Sequence, residues 1–254
     1  MAADTNNPFI KQLASSDRQK RDAALESLRT YISRRTTFDE IELLKLWKGL
    51  FFCMWMSDGP KAQQQLARAL AELVDILPAN NAIPFLDAFW RTMAREWVGI
   101  DVLRMDKYLY LIRQYFAASL RFFEKRSWQD TDLLDEYMDI LATTPLNTTD
   151  AKVPDGLRYH LLDIYVDEMD KIDADRRGLM PVQELLEPIR RLALESPTKA
   201  IRLQAKETLK DERILDWNGT QNNAGDGLSS KEDNETKNLE NTVEGDGEWS
   251  GIED

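Results

Sequence analysis

Apolar residues recur along this chain three and four positions apart, and no segment of useful length alternates with period two. That pattern predicts helix after helix and no sheet. Asn7 and Pro8 begin a short helix through Leu13. Ser16 is the expected cap of the next, where Leu25, Leu28 and Ile32 form one stripe. Thr37 and Glu40 have capping-box spacing ahead of Ile41, Leu44, Trp47, Leu50 and Phe51. That helix is apolar on most sides, so it belongs at the centre of the fold. Ser57-Asp58-Gly59-Pro60 ends it, and Lys61–Leu77 reads as one further helix with Leu66, Leu70, Leu73 and Leu77 inward.

After a break at Pro78–Asn81, Phe85, Leu86, Phe89, Trp90, Met93 and Trp97 mark a helix closing near Gly99. Asp101 is placed to cap a long helix, Val102–Lys125, whose buried stripe is Met105, Leu109, Ile112, Phe116, Leu120 and Phe123. Asp130 is expected to cap a helix carrying Leu133, Leu134, Tyr137 and Leu141, and Thr143–Asp155 is a loop. Leu157, Leu161, Ile164 and Val166 define the next helix, to about Asp173. Pro181 opens another, which Pro188 is expected to kink or break. Ser196 and Pro197 start the last, expected to end near Trp217.

Short connections between helices imply antiparallel neighbours. Helix pairs recurring at roughly 40 residues resemble the spacing of HEAT-type repeats. The expected architecture is therefore all-α: an irregular α-solenoid of antiparallel helix pairs over residues 1–217, with a compact helical bundle as the alternative. Residues 218–254 change character. They hold ten acidic and two basic residues and few apolar ones. Such a segment cannot offset the entropy of ordering and is expected to be a disordered acidic tail. Trp249 and Ile252 near its end are candidates for a small docking motif.

The tail accounts for most of the net charge of -12. The preceding residues carry 31 basic and 35 acidic side chains, so their local patches decide what they attract. Cys53 is the only cysteine, which excludes an intramolecular disulfide and a cysteine zinc site in one chain, and a reducing compartment fits. Met1–Ile10 lacks a basic region followed by an apolar run, so no signal peptide is expected. The most apolar stretch, Leu43–Met56, is interrupted by Lys45 and Lys48 and is too short for a membrane span.

Little in the chain points to catalysis. His160 is the only histidine, and neither a nucleophile elbow nor a phosphate-binding glycine motif accompanies it. Asp163 and Asp167 share a helical face with His160, so a metal-dependent helical hydrolase is one reading, with a solvated polar face as the plainer one. Basic residues are more informative. Lys11–Arg35 holds seven basic against three acidic residues, and Arg91–Arg126 holds eight against four. In the last helix Lys199, Arg202, Lys206, Lys210 and Arg213 are spaced to share one face that phosphates can follow. The candidates for RNA contact are therefore Arg91, Arg95, Arg104, Lys107, Lys199, Arg202, Lys206, Lys210 and Arg213. No RRM, KH or zinc-finger pattern accompanies them, so such contact would read backbone and shape.

Several segments carry a resemblance. Trp47-Lys48-Gly49-Leu50-Phe51-Phe52-Cys53-Met54-Trp55-Met56-Ser57-Asp58 resembles the signature of the ribosomal RNA-processing protein 1 family of eukaryotic nucleoli. Phe89–Trp97, Gly99-Ile100-Asp101, Arg104–Tyr108 and Gly156–Tyr165 are similar to the same family. The resemblance covers roughly Asn7–Trp217, and the acidic tail lies outside it. It implies a non-catalytic factor of the nucleus and nucleolus, needed for processing precursor ribosomal RNA and travelling with the pre-60S particle. It implies other assembly factors as partners, among them Brix-domain and Mak-type proteins, and precursor rRNA. It supplies no catalytic residue, metal or cofactor, and no membrane contact. It also implies that much of Trp47–Met56 is core, with Arg91, Arg95, Arg104 and Lys107 partly exposed. The expected role is a scaffold, with a protein-only adaptor lacking RNA contact as the alternative.

Overall fold

The apolar stripes become helix faces in the structure, a computed structural model that describes residues 8–217. The helices are α1 (Pro8–Leu13), α2 (Arg18–Arg34), α3 (Glu40–Trp55), α4 (Pro60–Ala71), α5 (Leu73–Ile76) and α6 (Ala79–Glu96). A 3-10 turn (Trp97–Gly99) leads into α7 (Val102–Glu124), then α8 (Thr131–Thr143), α9 (Asp155–Ile172), α10 (Val182–Glu195) and α11 (Lys199–Thr208). Residues 212–217 are again helical, and no strand occurs among the described residues. The expected acidic tail lies outside the described residues.

The helices form two rows. α1, α3, α6, α8 and α10 stack on one another in chain order, while α2, the α4/α5 segment, α7, α9 and α11 make the second row. Each helix thus meets its counterpart in the next pair, as expected of a solenoid of helix pairs. The repeat is uneven. The leading helices begin at Pro8, Glu40, Ala79, Thr131 and Val182, so the spacing widens where α7 is long and where the 144–154 loop intervenes.

Several boundaries differ from the sequence reading. Asp17, not Ser16, caps α2, accepting from the Gln19 amide at 2.9 Å. The capping box of α3 is Asp39 with Glu42: the Asp39 carboxylate accepts from Ile41 (2.7 Å), and Glu42 returns to the Asp39 amide (3.2 Å). In each case a carboxylate, which also complements the helix dipole, displaces a hydroxyl. The Lys61–Leu77 helix is split after Ala71. α6 starts earlier than expected because Asn80 and Asn81 donate to the carbonyls of Thr36 (2.7 Å) and Arg35 (2.9 Å), tying its first turn to the end of α2. α10 runs unbroken through Pro188. The missing N–H costs one bond near the helix start, and burial of Leu185, Leu186, Ile189 and Leu192 outweighs it. The last helix ends at Thr208 rather than near Trp217, and Thr198 stands at its start in place of Ser196.

Buried polar tips tie one pair to the next. Trp47 Nε1 donates to the Phe85 carbonyl (2.9 Å), Tyr108 to Phe51 (2.9 Å), and Tyr165 to Leu185 (2.6 Å), while the Tyr115 hydroxyl donates to Leu70. Each bond lets an aromatic body be buried without stranding its polar atom. Gly49 permits a close approach of α1 to α3: a Cβ there would stand 3.0 Å from Ile10 Cγ2.

Candidate interaction surfaces

The structure disperses the basic residues. Arg91 and Arg95 lie one turn apart on α6. Arg91 donates to Glu40 at the start of α3 (2.6 Å) and to Asp87 (3.2 Å), and these bonds, Glu40 first, hold its pKa above the usual guanidinium value. Arg95 is more open and pairs with Glu96 at 2.7 Å. Arg104, in the first turn of α7, pairs with Asp101 and lies 4.6 Å from the Trp55 ring centre.

Lys107 is not on the surface, contrary to expectation. It is 5% exposed, and its ammonium donates to the carbonyls of Trp55 (2.7 Å) and Ser57 (2.9 Å). The end of α3 leaves carbonyls without helical donors, and a cation there satisfies them and the negative end of the dipole. Burial pulls its pKa down, with Arg104 acting in the same direction. A phosphate cannot reach it.

The five-residue stripe is also divided. Lys199, Arg202 and Lys206 belong to α11, but Lys210 lies past its end and Arg213 in the 212–217 segment. Arg202 donates to the Ser196 (2.6 Å) and Pro197 (2.9 Å) carbonyls at the end of α10. Lys210 pairs with Glu207 at 3.1 Å. Arg213 binds Asp211 (2.7 Å) and Asp167 (3.1 Å), which raises its own pKa and lowers that of Asp211. Lys199 and Lys206 are exposed and make no ion pair among the described residues.

The residues considered for a metal have other partners. His160 Nε2 is 2.8 Å from the Leu109 carbonyl, Asp163 accepts from Gln204 (3.2 Å), and Asp167 pairs with Arg113 (3.0 Å) and Arg213. Among the described residues no three acidic, histidine or cysteine side chains converge as a metal site would require. Cys53 is buried, and burial pushes its thiol up to about 12, so it stays protonated. No described helix is long and apolar enough to cross a membrane.

One surface escaped the sequence reading. Val98, Val102 and Leu103 are 85%, 88% and 93% exposed, more than any other large apolar side chain described. They flank a fixed turn. Trp97 and Ile100 are buried on either side of Val98, and Asp101 caps α7 by accepting from the Arg104 amide at 3.1 Å. Gly156, at the start of α9, lets that helix close on the turn, since a Cβ there would stand 3.1 Å from Trp97 Nε1. Arg104, next to Leu103 in the chain, lies over the Trp55 ring. A signal for it exists in the sequence: Val98-Gly99-Ile100-Asp101-Val102-Leu103 places four aliphatic residues around one cap, and the core takes only Ile100.

A family model described as "Nucleolar protein, Nop52" matches residues 4–252. Ribosomal RNA processing protein 1 homolog A of Mus musculus is 42% identical over 172 residues, covering 65% of this chain and 34% of that protein. Homolog B of Homo sapiens is 41% identical over 172 residues, covering 65% of this chain and 22% of that protein. Homolog A of Homo sapiens is 36% identical over 191 residues, covering 73% of this chain and 41% of that protein. This chain therefore spans well under half the length of these relatives. With the family model matched along nearly its whole length, the chain belongs to the Nop52 family of nucleolar proteins.

Proposed function

We propose that this chain acts in the processing of precursor ribosomal RNA for the large (60S) subunit, as a non-catalytic scaffold of the pre-60S particle. The names of the relatives supply the process. The observation that supports a scaffold is the Val98, Val102 and Leu103 ridge: three aliphatic side chains held in water beside the capped start of α7. A folded chain gains nothing for its own stability from such a ridge, whereas a partner's apolar surface would gain from covering it. The partner read here is another assembly factor, of the Brix-domain or Mak type that the family resemblance implies. Precursor RNA phosphates would meet Arg95, Lys199 and Lys206.

Affinity purification of the full chain carrying Val98→Ser, Val102→Ser and Leu103→Ser tests this reading. The expected result is loss of co-purifying assembly factors with an unchanged melting temperature. An unchanged set of co-purifying proteins overturns the ridge as the docking surface. A protein-only adaptor is favoured by one observation: Arg91, Arg95, Arg104 and Arg213 are already ion-paired and Lys107 is buried. Ultraviolet crosslinking separates the two, because only the scaffold yields adducts to RNA at Lys199, Lys206 or Arg95.

A further inference from the structure

The last helix of the stack has an incomplete surface. α11 packs on α9 and α10, and the short helical segment 212–217 follows it. Terminal repeats of a solenoid need a polar outer face. Here Leu203 is 56% exposed on α11, Leu194 is 77% exposed at the end of α10, and Leu215 is 68% exposed beyond. Lys199, Leu203 and Lys206 succeed one another at helical spacing, so α11 presents an apolar residue between two cations that make no ion pair among the described residues. Lys210 continues the row past the helix end.

The described residues end at Trp217, nine positions past the end of α11. Trp217 is buried, donates to Asp173 on the segment after α9 (3.0 Å), and carries Arg176 over its ring, 4.4 Å from the centre. Beyond Trp217 the sequence is at its most acidic, with ten carboxylates against two lysines over residues 218–254. This segment also holds two large apolar residues at its far end, Trp249 and Ile252.

We propose that the acidic segment 218–254 docks in cis on the outer face of α11, its carboxylates against Lys199 and Lys206, and Trp249 or Ile252 over Leu203. The reach suffices. Trp249 lies about 32 residues beyond Trp217, the random-coil expectation for that many residues is an end-to-end distance of about 30 Å, and α11 is about 15 Å long. Tethering supplies the segment at an effective concentration near the millimolar range, so weak contacts hold it. The docked segment imitates a run of phosphates and covers the cations that a polyanion would otherwise meet. The inference goes beyond the scaffold reading and does not depend on it.

Lysine footprinting of the full chain tests the docking. Amine acetylation is followed by mass spectrometry in the native protein and in a full-length variant carrying Glu232→Gln, Asp233→Asn, Glu235→Gln, Glu240→Gln and Trp249→Ser. None of these residues belongs to the described fold, so the variant retains it. The expected result is that Lys199 and Lys206 react about threefold or more slowly in the native chain, as for a face covered about two-thirds of the time. Lys48 and Lys61, exposed elsewhere, serve as unchanged controls. Protection should vanish at high salt and be independent of protein concentration. Equal rates in the two proteins overturn the proposal. Protection that grows with protein concentration also overturns it, by assigning the cover to a second copy. Native chain that becomes protected only on addition of RNA or of a partner protein does the same, by assigning the face to that ligand.

Discussion

The middle of the stack and its C-terminal end are held by different chemistry. In α3, α6 and α7, Trp47 stands 4.9–5.1 Å from the ring centres of Phe85, Phe89 and Tyr115, and Trp47 and Tyr115 send their polar tips into backbone carbonyls. From α9 onward ion pairs reinforce the apolar contacts between helices. Arg113 binds Glu168 and Asp167, Arg213 binds Asp167, and Trp217 is fastened to Asp173. Aromatic burial is non-directional and nearly indifferent to salt, whereas exposed ion pairs are screened. One solenoid thus combines an aromatic centre with an end braced by ion pairs that salt can screen.

The largest expected effect lies in the centre. Trp47→Ala removes a fully buried ring and its bond to Phe85 and should cost about 3–5 kcal/mol by denaturant unfolding. Trp55→Ala should cost clearly less, because Trp55 is only partly buried and is covered on one side by Arg104. Equal losses for the two would break the distinction between core and rim in this helix.

Next in size is the C-terminal joint. Glu168 is 4% exposed and accepts from Arg113 (2.5 Å) and Lys171 (2.7 Å). Glu168→Gln should cost about 1–2 kcal/mol, discounted because both cations reach solvent. Hydrogen exchange should locate the loosening in α9 and the part of α7 that bears Arg113, and leave α3 and α6 protected. Loosening spread evenly over all helices would mean that the two regions unfold as one unit.

A smaller effect distinguishes the regions by pH. Burial lowers the pKa of His160 below its usual value, so the folded state favours the neutral ring, whose Nε2–H donates to Leu109. The unfolded chain takes the proton first. The contribution is thus fully present above about pH 6.5 and declines as pH falls through that unfolded value, levelling off below the folded pKa. His160→Gln should flatten this part of the stability profile relative to wild type, while the biological role is retained. A steeper acid loss in the variant would contradict the assigned sign.

The smallest prediction concerns a flaw in the aromatic centre. Thr92 is fully buried on α6, and its hydroxyl has no partner. Thr92→Val keeps the shape and removes the stranded group, so stability should rise by about 0.5–1 kcal/mol. A loss on substitution would reveal that the hydroxyl is satisfied after all.

Much of this was legible before any fold was known. Leu25, Leu28 and Ile32, or Leu157, Leu161 and Ile164, mark helix faces by spacing alone, and all are buried as expected. The burial of Trp47 followed from a helix apolar on most sides. Caps were less legible, because Ser16 and Asp17, or Thr37 and Asp39, stand one or two positions apart and a carboxylate outcompetes a hydroxyl only in the folded geometry. The interaction surfaces were least legible. Val102 continues the very spacing of Met105, Leu109 and Ile112, yet it is 88% exposed because the stack does not extend over the first turn of α7.

Local order in this protein thus came from the sequence: spacing at three and four residues selects helix, and caps and prolines punctuate it, since these depend on neighbours within a few positions. The tertiary structure alone decided which cation is a surface charge. Lys107 looks like any lysine on an amphipathic helix, but the carbonyls that take its ammonium lie 52 and 50 residues earlier, at the end of α3. Lys199 and Lys206 remain in water on α11, with no ion-pair partner among the described residues. Periodicity says which way a side chain faces, and only the elements packed across from it determine whether that direction leads to solvent, to an acid or to the orphaned end of another helix.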